Sequence, residues 1–102
     1  MNPNLSSATK SYNLKTNGTT TLPGKGVLVA LVVNSKGGSG NTVRIYDSNE
    51  TFGEDPERLK GTLDTVNVFG RVEYGMFIET GIYLVSGGGT APDITVLYAD
   101  TP

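Results

Sequence analysis

The sequence contains no cysteine and no histidine among its 102 residues. Without cysteine the chain has no disulfide and no thiolate metal site, and without histidine it lacks the commonest general base and zinc ligand. The carboxylates that remain, such as Glu73 and Glu79, stand in loops or on outward strand positions, where nothing in the sequence would hold them rigidly as a catalytic pair. We therefore expect a protein that is not an enzyme and that uses no cofactor.

Clustered positive charge and a long hydrophobic run are also missing. The formal net charge is −2, and the eight lysines and arginines are scattered singly along the chain. A surface for nucleic acid or for an anionic membrane would need them clustered, so neither partner is expected. The longest apolar run, residues 27–33, is far shorter than a membrane span, and the first residues do not resemble a signal peptide. The protein is accordingly predicted to stay in the cytosol where it is made.

Glycine, by contrast, is abundant, and the 14 glycines stand between short apolar segments. The most apolar segment, residues 26–34, reads Gly-Val-Leu-Val-Ala-Leu-Val-Val-Asn. A half-solvated strand alternates apolar and polar residues, whereas this one does not, and its valines are unfavourable in a helix. It is predicted to be the central strand of the core, buried on both sides.

Seven further segments have the patterns of short strands: residues 11–16, 19–22, 42–47, 58–66, 68–78, 82–86 and 94–99. About eight strands without a helix signal predict an all-β fold, an antiparallel β-sandwich of jelly-roll or immunoglobulin-like type. The turn dipeptide Asn17-Gly18 predicts a hairpin between the first two strands. Two more hairpins are predicted, one between residues 26–34 and 42–47 and one between the last two strands.

The longest alternating segment, residues 68–78, predicts one inward and one outward face. The inward residues are Val68, Val72, Tyr74, Met76 and Ile78, and the outward residues are Phe69, Arg71, Glu73 and Phe77. The glycines at positions 70 and 75 indicate either a bulge or a division into two strands that belong to different sheets.

The chain is predicted to form one domain over residues 11–102, preceded by a flexible arm over residues 1–10. The arm is polar and has no trusted periodicity, so it is either a frayed terminus or a segment that orders against a neighbouring subunit. In the second case Asn4 and Leu5 are the residues expected to contact the partner.

An acidic loop over residues 47–57 contains the best candidates for a metal site. Asp47, Asn49 and Thr51 have the spacing of the first ligands of a calcium loop, but Phe52 and Arg58 occupy the positions that need glycine and glutamate. A looser Ca²⁺ site would use Asp47, Asn49, Glu50 and Asp55. A solvated loop that protects a sheet edge is the favoured interpretation, so no metal is expected.

Tyr46 and Tyr83 are predicted to point away from the core. They would then cover the second face of a sheet, bind carbohydrate or lie in a subunit contact. The glycine-rich segments 24–26 and 38–40 lack the spacing of phosphate-binding loops and are predicted to be turns. Residues 87–89 are predicted to be the loop of the last hairpin, with a close approach of another backbone as the alternative.

Three stretches, residues 26–35, 42–48 and 81–98, together resemble the short all-β virion proteins of tailed bacteriophages. The shared pattern is a leading hydrophobic strand, an Ile-Tyr-Asp strand end and a Gly-rich closing hairpin. The resemblance is greatest to capsid decoration proteins, also called cement proteins. It covers most of the chain from Gly24 onward, except for the acidic insertion at Glu50–Glu57.

This resemblance implies a structural protein that binds the major capsid protein at capsomer junctions and stabilises the expanded head. It also implies a homo-oligomer, either a trimer or a dimer, located on the capsid surface of the virion after assembly in the host cytoplasm. No functional residue carries over, because the family shares no active site. Two alternatives stay open: a neck or tail component of the virion, and a carbohydrate-binding module that recognises the host surface.

Overall fold

Eight β-strands and one 3₁₀ turn make up the regular structure of the computed structural model, which describes residues 9–100. β1, β8, β3 and β6 form one four-stranded sheet in that order, here called sheet A, and β2, β7, β4 and β5 form sheet B. All strand pairs are antiparallel, so the predicted antiparallel β-sandwich is confirmed. The strands are β1 (Thr9–Leu14), β2 (Gly18–Pro23), β3 (Gly26–Ser35), β4 (Thr42–Asp47), β5 (Leu59–Asp64), β6 (Gly70–Ile78), β7 (Gly81–Gly87) and β8 (Asp93–Asp100), and the 3₁₀ turn is Pro56–Arg58.

The strands pair from the two ends of the chain inwards. β1 pairs with β8, β2 with β7, β3 with β6, and β4 with β5. The chain is therefore one long hairpin, and the additional pairs β3–β8 and β4–β7 roll it into two sheets. This arrangement is the jelly roll, which decides between the two types of sandwich predicted from the sequence.

The three predicted hairpins are wrong, because their strands belong to different sheets. β1 and β3 lie in sheet A whereas β2 and β4 lie in sheet B, and β7 and β8 are divided in the same way. Each strand has one apolar face, and a chain that crosses from sheet to sheet places those faces against each other across the core. Only β4 and β5 are both consecutive and paired.

β1 begins at Thr9, so residues 9 and 10 of the predicted arm belong to sheet A. Residues 1–8, with the candidate contact residues Asn4 and Leu5, lie outside the described residues.

The core lies between the sheets, and the predicted faces of residues 68–78 are confirmed. Val72, Tyr74 and Met76 pack against the core from β6, whereas Phe69 and Phe77 are exposed. The segment is one strand with a bulge rather than two strands. The fully enclosed apolar cluster consists of Leu14, Leu28, Leu31, Val33, Val43, Ile45, Leu63, Ile78, Ile82, Leu84, Ile94 and Val96.

β3 is not buried on both sides, contrary to the prediction. Leu28, Leu31 and Val33 point into the core, but Val27 and Val32 on the other face are only half-buried. A two-layer sandwich covers each sheet on one side only, and no described residue forms a third layer over sheet A. The apolar residues that prompted the prediction therefore line an outer surface.

The loops at one end of the sandwich are joined by buried polar side chains. Thr65 Oγ1 donates to Asn41 Oδ1 at 2.6 Å, Asn41 Nδ2 donates to Asn17 Oδ1 at 3.0 Å, and Ser86 Oγ donates to the same Asn17 oxygen at 2.9 Å. This network holds together four connections that are far apart in sequence. It satisfies polar atoms that would otherwise be costly to bury.

Residues 87–89 are a site of close backbone approach, which was the alternative to a hairpin loop. An added Cβ on Gly89 would lie 1.9 Å from the carbonyl oxygen of Gly38. Gly89 also has a φ of +57°. The β3–β4 loop and the β7–β8 loop touch here at one end of the sandwich, and only glycine fits between them.

Candidate interaction surface

The outer face of sheet A carries an apolar row at one end. Val27 of β3 lies opposite Phe77 of β6 on one side and Ala99 of β8 on the other. The next row, Leu28 with Met76 and Tyr98, belongs to the core, so the Val27 row points away from it. The Phe77 side chain is 79% exposed. We call this side of the sheet, with Val27, Val32, Phe77, Leu97 and Ala99, the outer face of sheet A.

A bulge keeps the outward side chains of this face in regular rows. Leu28 lies opposite Met76, but Ala30 lies opposite Glu73, so β6 has one extra residue there. Gly75 provides it with a φ of +56°, a conformation that side-chain-bearing residues rarely adopt. As a result Glu73 and Phe77 occupy neighbouring outward rows although they are four residues apart.

Charge on this face lies at its two borders. Arg71 and Glu73 form an ion pair on β6, and the hydrogen bond from Arg71 lowers the pKa of Glu73. At the opposite border Asn13 Nδ2 donates to the carboxylate Oδ1 of Asp93 at 2.7 Å. The apolar part between these borders lies mainly on the two central strands, β3 and β8, and includes Phe77 near the end of β6.

The apolar part offers a contact site whose most exposed side chain is that of Phe77. Phe77 is 79% exposed, whereas Val27, Val32 and Leu97 are half-buried and Ala99 is buried. Exposed apolar groups that stand together on a protein surface often mark an interaction site. Since no described residue covers it, a protein partner would gain apolar burial there.

The metal-site candidates of the acidic loop make hydrogen bonds to the protein backbone. Asp47 turns away from the loop and accepts hydrogen bonds from the backbone N–H groups of Glu79 and Thr80, at 3.0 and 2.8 Å. Burial alone would raise the pKa of Asp47, but these bonds and a longer one from Gly81 lower it below its usual value. The carboxylate therefore connects the end of β4 to the turn before β7 through hydrogen bonds.

The other metal candidates also make local hydrogen bonds instead of converging. Asn49 Oδ1 accepts from the backbone N–H groups of Thr51 and Phe52, and Asp55 Oδ1 accepts from that of Glu57. Glu50 is exposed. Among residues 9–100 no three His, Cys, Asp or Glu side chains are grouped closely enough to hold a metal ion. The Ca²⁺ hypothesis for Asp47, Asn49, Glu50 and Asp55 stays a prediction, and in this structure the side chains of Asp47, Asn49 and Asp55 accept separate hydrogen bonds.

Tyr46 and Tyr83 point outward from sheet B as predicted but are not free, because the acidic loop covers them. Their exposed fractions are 3% and 9%, and the two rings meet edge to face at 6.1 Å. Arg44 donates to the Tyr46 hydroxyl at 3.2 Å, and the backbone at Gly53 lies beside the Tyr83 hydroxyl. Of the three uses considered for these tyrosines, covering the second face of a sheet is the one observed, and an exposed binding platform is ruled out.

A second, smaller exposed patch lies beside the same loop. The Phe52 ring is 49% exposed and stacks on the Arg58 guanidinium at 3.9 Å, with Leu59 next in the chain. Arg58 connects this patch to β4, since it donates to the backbone oxygen of Asp47 at 3.3 Å.

The residues that matter most on this surface were not singled out from the sequence. Phe69 and Phe77 were correctly placed on the outward face of residues 68–78, and two phenylalanines on the polar side of an alternating strand were the available signal. Val27 and Val32 were assigned to the core because an unbroken apolar run does not show which of its faces is covered.

The chain matches no family model, no curated relative and no solved structure. Within residues 9–100 no helix is long and apolar enough to cross a membrane.

Proposed function

We propose that this chain is a structural protein of a tailed bacteriophage virion, a decoration or cement protein that binds the major capsid protein at capsomer junctions and stabilises the expanded head. The observation that carries the proposal is the outer face of sheet A, an apolar surface on a jelly roll. Jelly rolls are common in viral capsid domains. Fold alone does not establish function, so the proposal depends on the exposed face.

An exposed phenylalanine has an energetic reason to find a partner. Burying a side chain of this size is worth about 1.5–3 kcal/mol. Phe77 stands among half-buried valines, so a partner surface would cover it together with its neighbours. One such contact is weak, but a shell repeats it many times, and the subunits are held by the array as a whole.

The carbohydrate-binding alternative loses its basis, because Tyr46 and Tyr83 are covered and cannot stack on a sugar. The neck or tail alternative differs from a decoration role in copy number. Mass spectrometry of purified particles measures that number directly. A decoration protein is expected at a stoichiometry comparable to that of the major capsid protein, whereas a neck or tail protein is expected at only a few copies per particle.

Shell binding by the outer face is tested with Phe77→Asp. The substitution places a charge at the most exposed apolar side chain of this face, and we expect occupancy on expanded, undecorated heads to require at least about tenfold more protein. Occupancy is measured by co-sedimentation of purified protein with the heads. Phe52→Asp is the matched control, since it replaces another exposed phenylalanine on the side of sheet B, and it should bind normally. Equal binding by wild type and Phe77→Asp would contradict the proposed face.

A further inference from the structure

β6 is the border strand of sheet A next to the apolar face. It pairs with β3 on one side, and no described strand lies on its other side. Its nine residues make it the longest of the four border strands. A free strand edge presents unpaired N–H and C=O groups that can pair with another strand.

The other three border strands carry features that hinder such pairing. β1 has Lys10, β2 ends in Pro23, and β5 has Lys60 at a register shift. Charged residues, prolines and bulges are the usual protections of free edges. β6 also carries charges and a bulge, but its two charges are of opposite sign, and residues 70–73 pair with β3 without a register shift.

The outward side chains along β6 form a pattern that complements its own reverse. In chain order they are cation, anion and aromatic: Arg71, Glu73 and Phe77, with the exposed Phe69 just before the strand begins. Arg71, Glu73 and Phe77 lie in the rows of Thr95, Leu97 and Ala99 of β8. Read backwards about the midpoint between Arg71 and Glu73, each of these two positions meets the opposite charge.

We infer that two copies of this chain pair through β6, antiparallel, about a two-fold axis that passes between Arg71 and Glu73. Arg71 of each copy then lies opposite Glu73 of the other. Cross-strand pairs of opposite charge stabilise a sheet, whereas like charges opposite each other destabilise it. The occupant of this edge is a second copy, because a pattern that complements its own reverse needs no other partner.

Pairing at this edge joins two four-stranded sheets into one of eight strands. The axis is perpendicular to the sheet, so both outer faces point the same way. The dimer therefore carries the outer face of sheet A twice, with both copies on one side. The pairing stands on the β6 pattern alone, and only its consequence for shell binding rests on the proposed function. Because few residues pair directly, we expect a weak dimer, with a Kd in the micromolar range.

Charge reversal at the axis tests the pairing. Arg71→Glu or Glu73→Arg alone puts four like charges around the axis, and each should raise the dimer Kd at least about tenfold in sedimentation equilibrium. An equimolar mixture of the two variants should associate again, because each copy then supplies the charge that the other lacks. Lys10→Glu is the matched control, since it reverses a charge of an exposed ion pair on the other border of sheet A, and it should dimerise like wild type.

Three results would overturn the inference: a wild-type chain that stays monomeric at high micromolar concentration, reversals without effect on association, or a mixture that remains monomeric. Thermal unfolding of each variant verifies that the fold is kept. Co-sedimentation with heads is measured separately. A dimer that does not bind heads contradicts only the proposed function, whereas a monomer that binds heads contradicts only the pairing.

Discussion

At the scale of single residues, the strongest constraint lies on Asp47. Its carboxylate is buried and holds the backbone N–H groups of residues 79–81. Hydrogen bonds to a charged acceptor contribute about 1.5–3 kcal/mol. Because the pKa of Asp47 is lowered in the folded state, this stabilisation is complete above the unfolded pKa of about 4 and is lost as the pH falls through the folded value.

We expect Asp47→Asn to lower the free energy of unfolding by about 1–2 kcal/mol at neutral pH, since an amide nitrogen would face one of the N–H donors. The difference from wild type should shrink as the pH falls from about 5 to about 2, where the aspartate is protonated. Urea unfolding at a series of pH values measures both effects. Glu50→Gln removes an exposed acid in the same loop and should change neither the unfolding free energy nor its pH dependence. An equal loss of unfolding free energy in the two variants would rule out the stabilising role of the Asp47 carboxylate.

The role of Asp47 was beyond the reach of sequence reasoning. Its position at a strand end next to an acidic loop was read correctly. The N–H groups that it binds are more than thirty residues away, however, and the jelly roll alone brings them to it. A local pattern therefore indicated a metal ligand where the fold had already supplied the donors.

At the scale of elements, the contact between the loops of Gly38 and Gly89 is predicted to tolerate no side chain. Gly89→Ala adds a Cβ 1.9 Å from a backbone oxygen at a φ of +57°, so we expect a loss of at least about 2 kcal/mol in unfolding free energy. Gly87→Ala is the matched control two residues earlier, where an added Cβ meets nothing within 4 Å. It should stay within about 0.5 kcal/mol of wild type. Similar losses in the two variants would show that the loops are not in contact.

The strands themselves were predicted closely, but their partners were not. The segments proposed for β3, β4, β7 and β8 agree with the observed strands to within two residues, because alternation and glycine punctuation are local signals. Pairing is a non-local property, and a turn such as Asn17-Gly18 does not reveal whether the chain folds back in one sheet or crosses to the other. Gly18 has the positive φ of a turn glycine, +118°, although the chain crosses from one sheet to the other at this turn.

At the scale of the whole molecule, the jelly roll accounts for both the covered and the exposed parts of the sequence. Rolling up one long hairpin leaves two layers, so each sheet buries one face and exposes the other. β3 is apolar on both faces, and one face therefore remains for a partner. The exposed surface was predictable as an outward row on residues 68–78, but its extension over Val27 and Val32 follows only from the number of layers.

The topology itself makes a prediction that the cysteine-free chain allows to be tested cleanly. Thr19 of β2 and Val85 of β7 lie directly opposite each other on the outward side of sheet B. Cysteines at such positions are close enough for a disulfide. Thr19→Cys with Val85→Cys should therefore oxidise within one chain. Closing a loop of ~65 residues should then stabilise the fold by about 3–4 kcal/mol, and reduction of the disulfide should remove this stabilisation.

In a chain built from sequential hairpins, β2 would pair with β1 and the two cysteines would be far apart. Thermal unfolding and non-reducing electrophoresis distinguish these outcomes, with Thr19→Cys alone as the control. A double variant that forms only disulfides between chains would refute the rolled hairpin, and with it the outer face of sheet A.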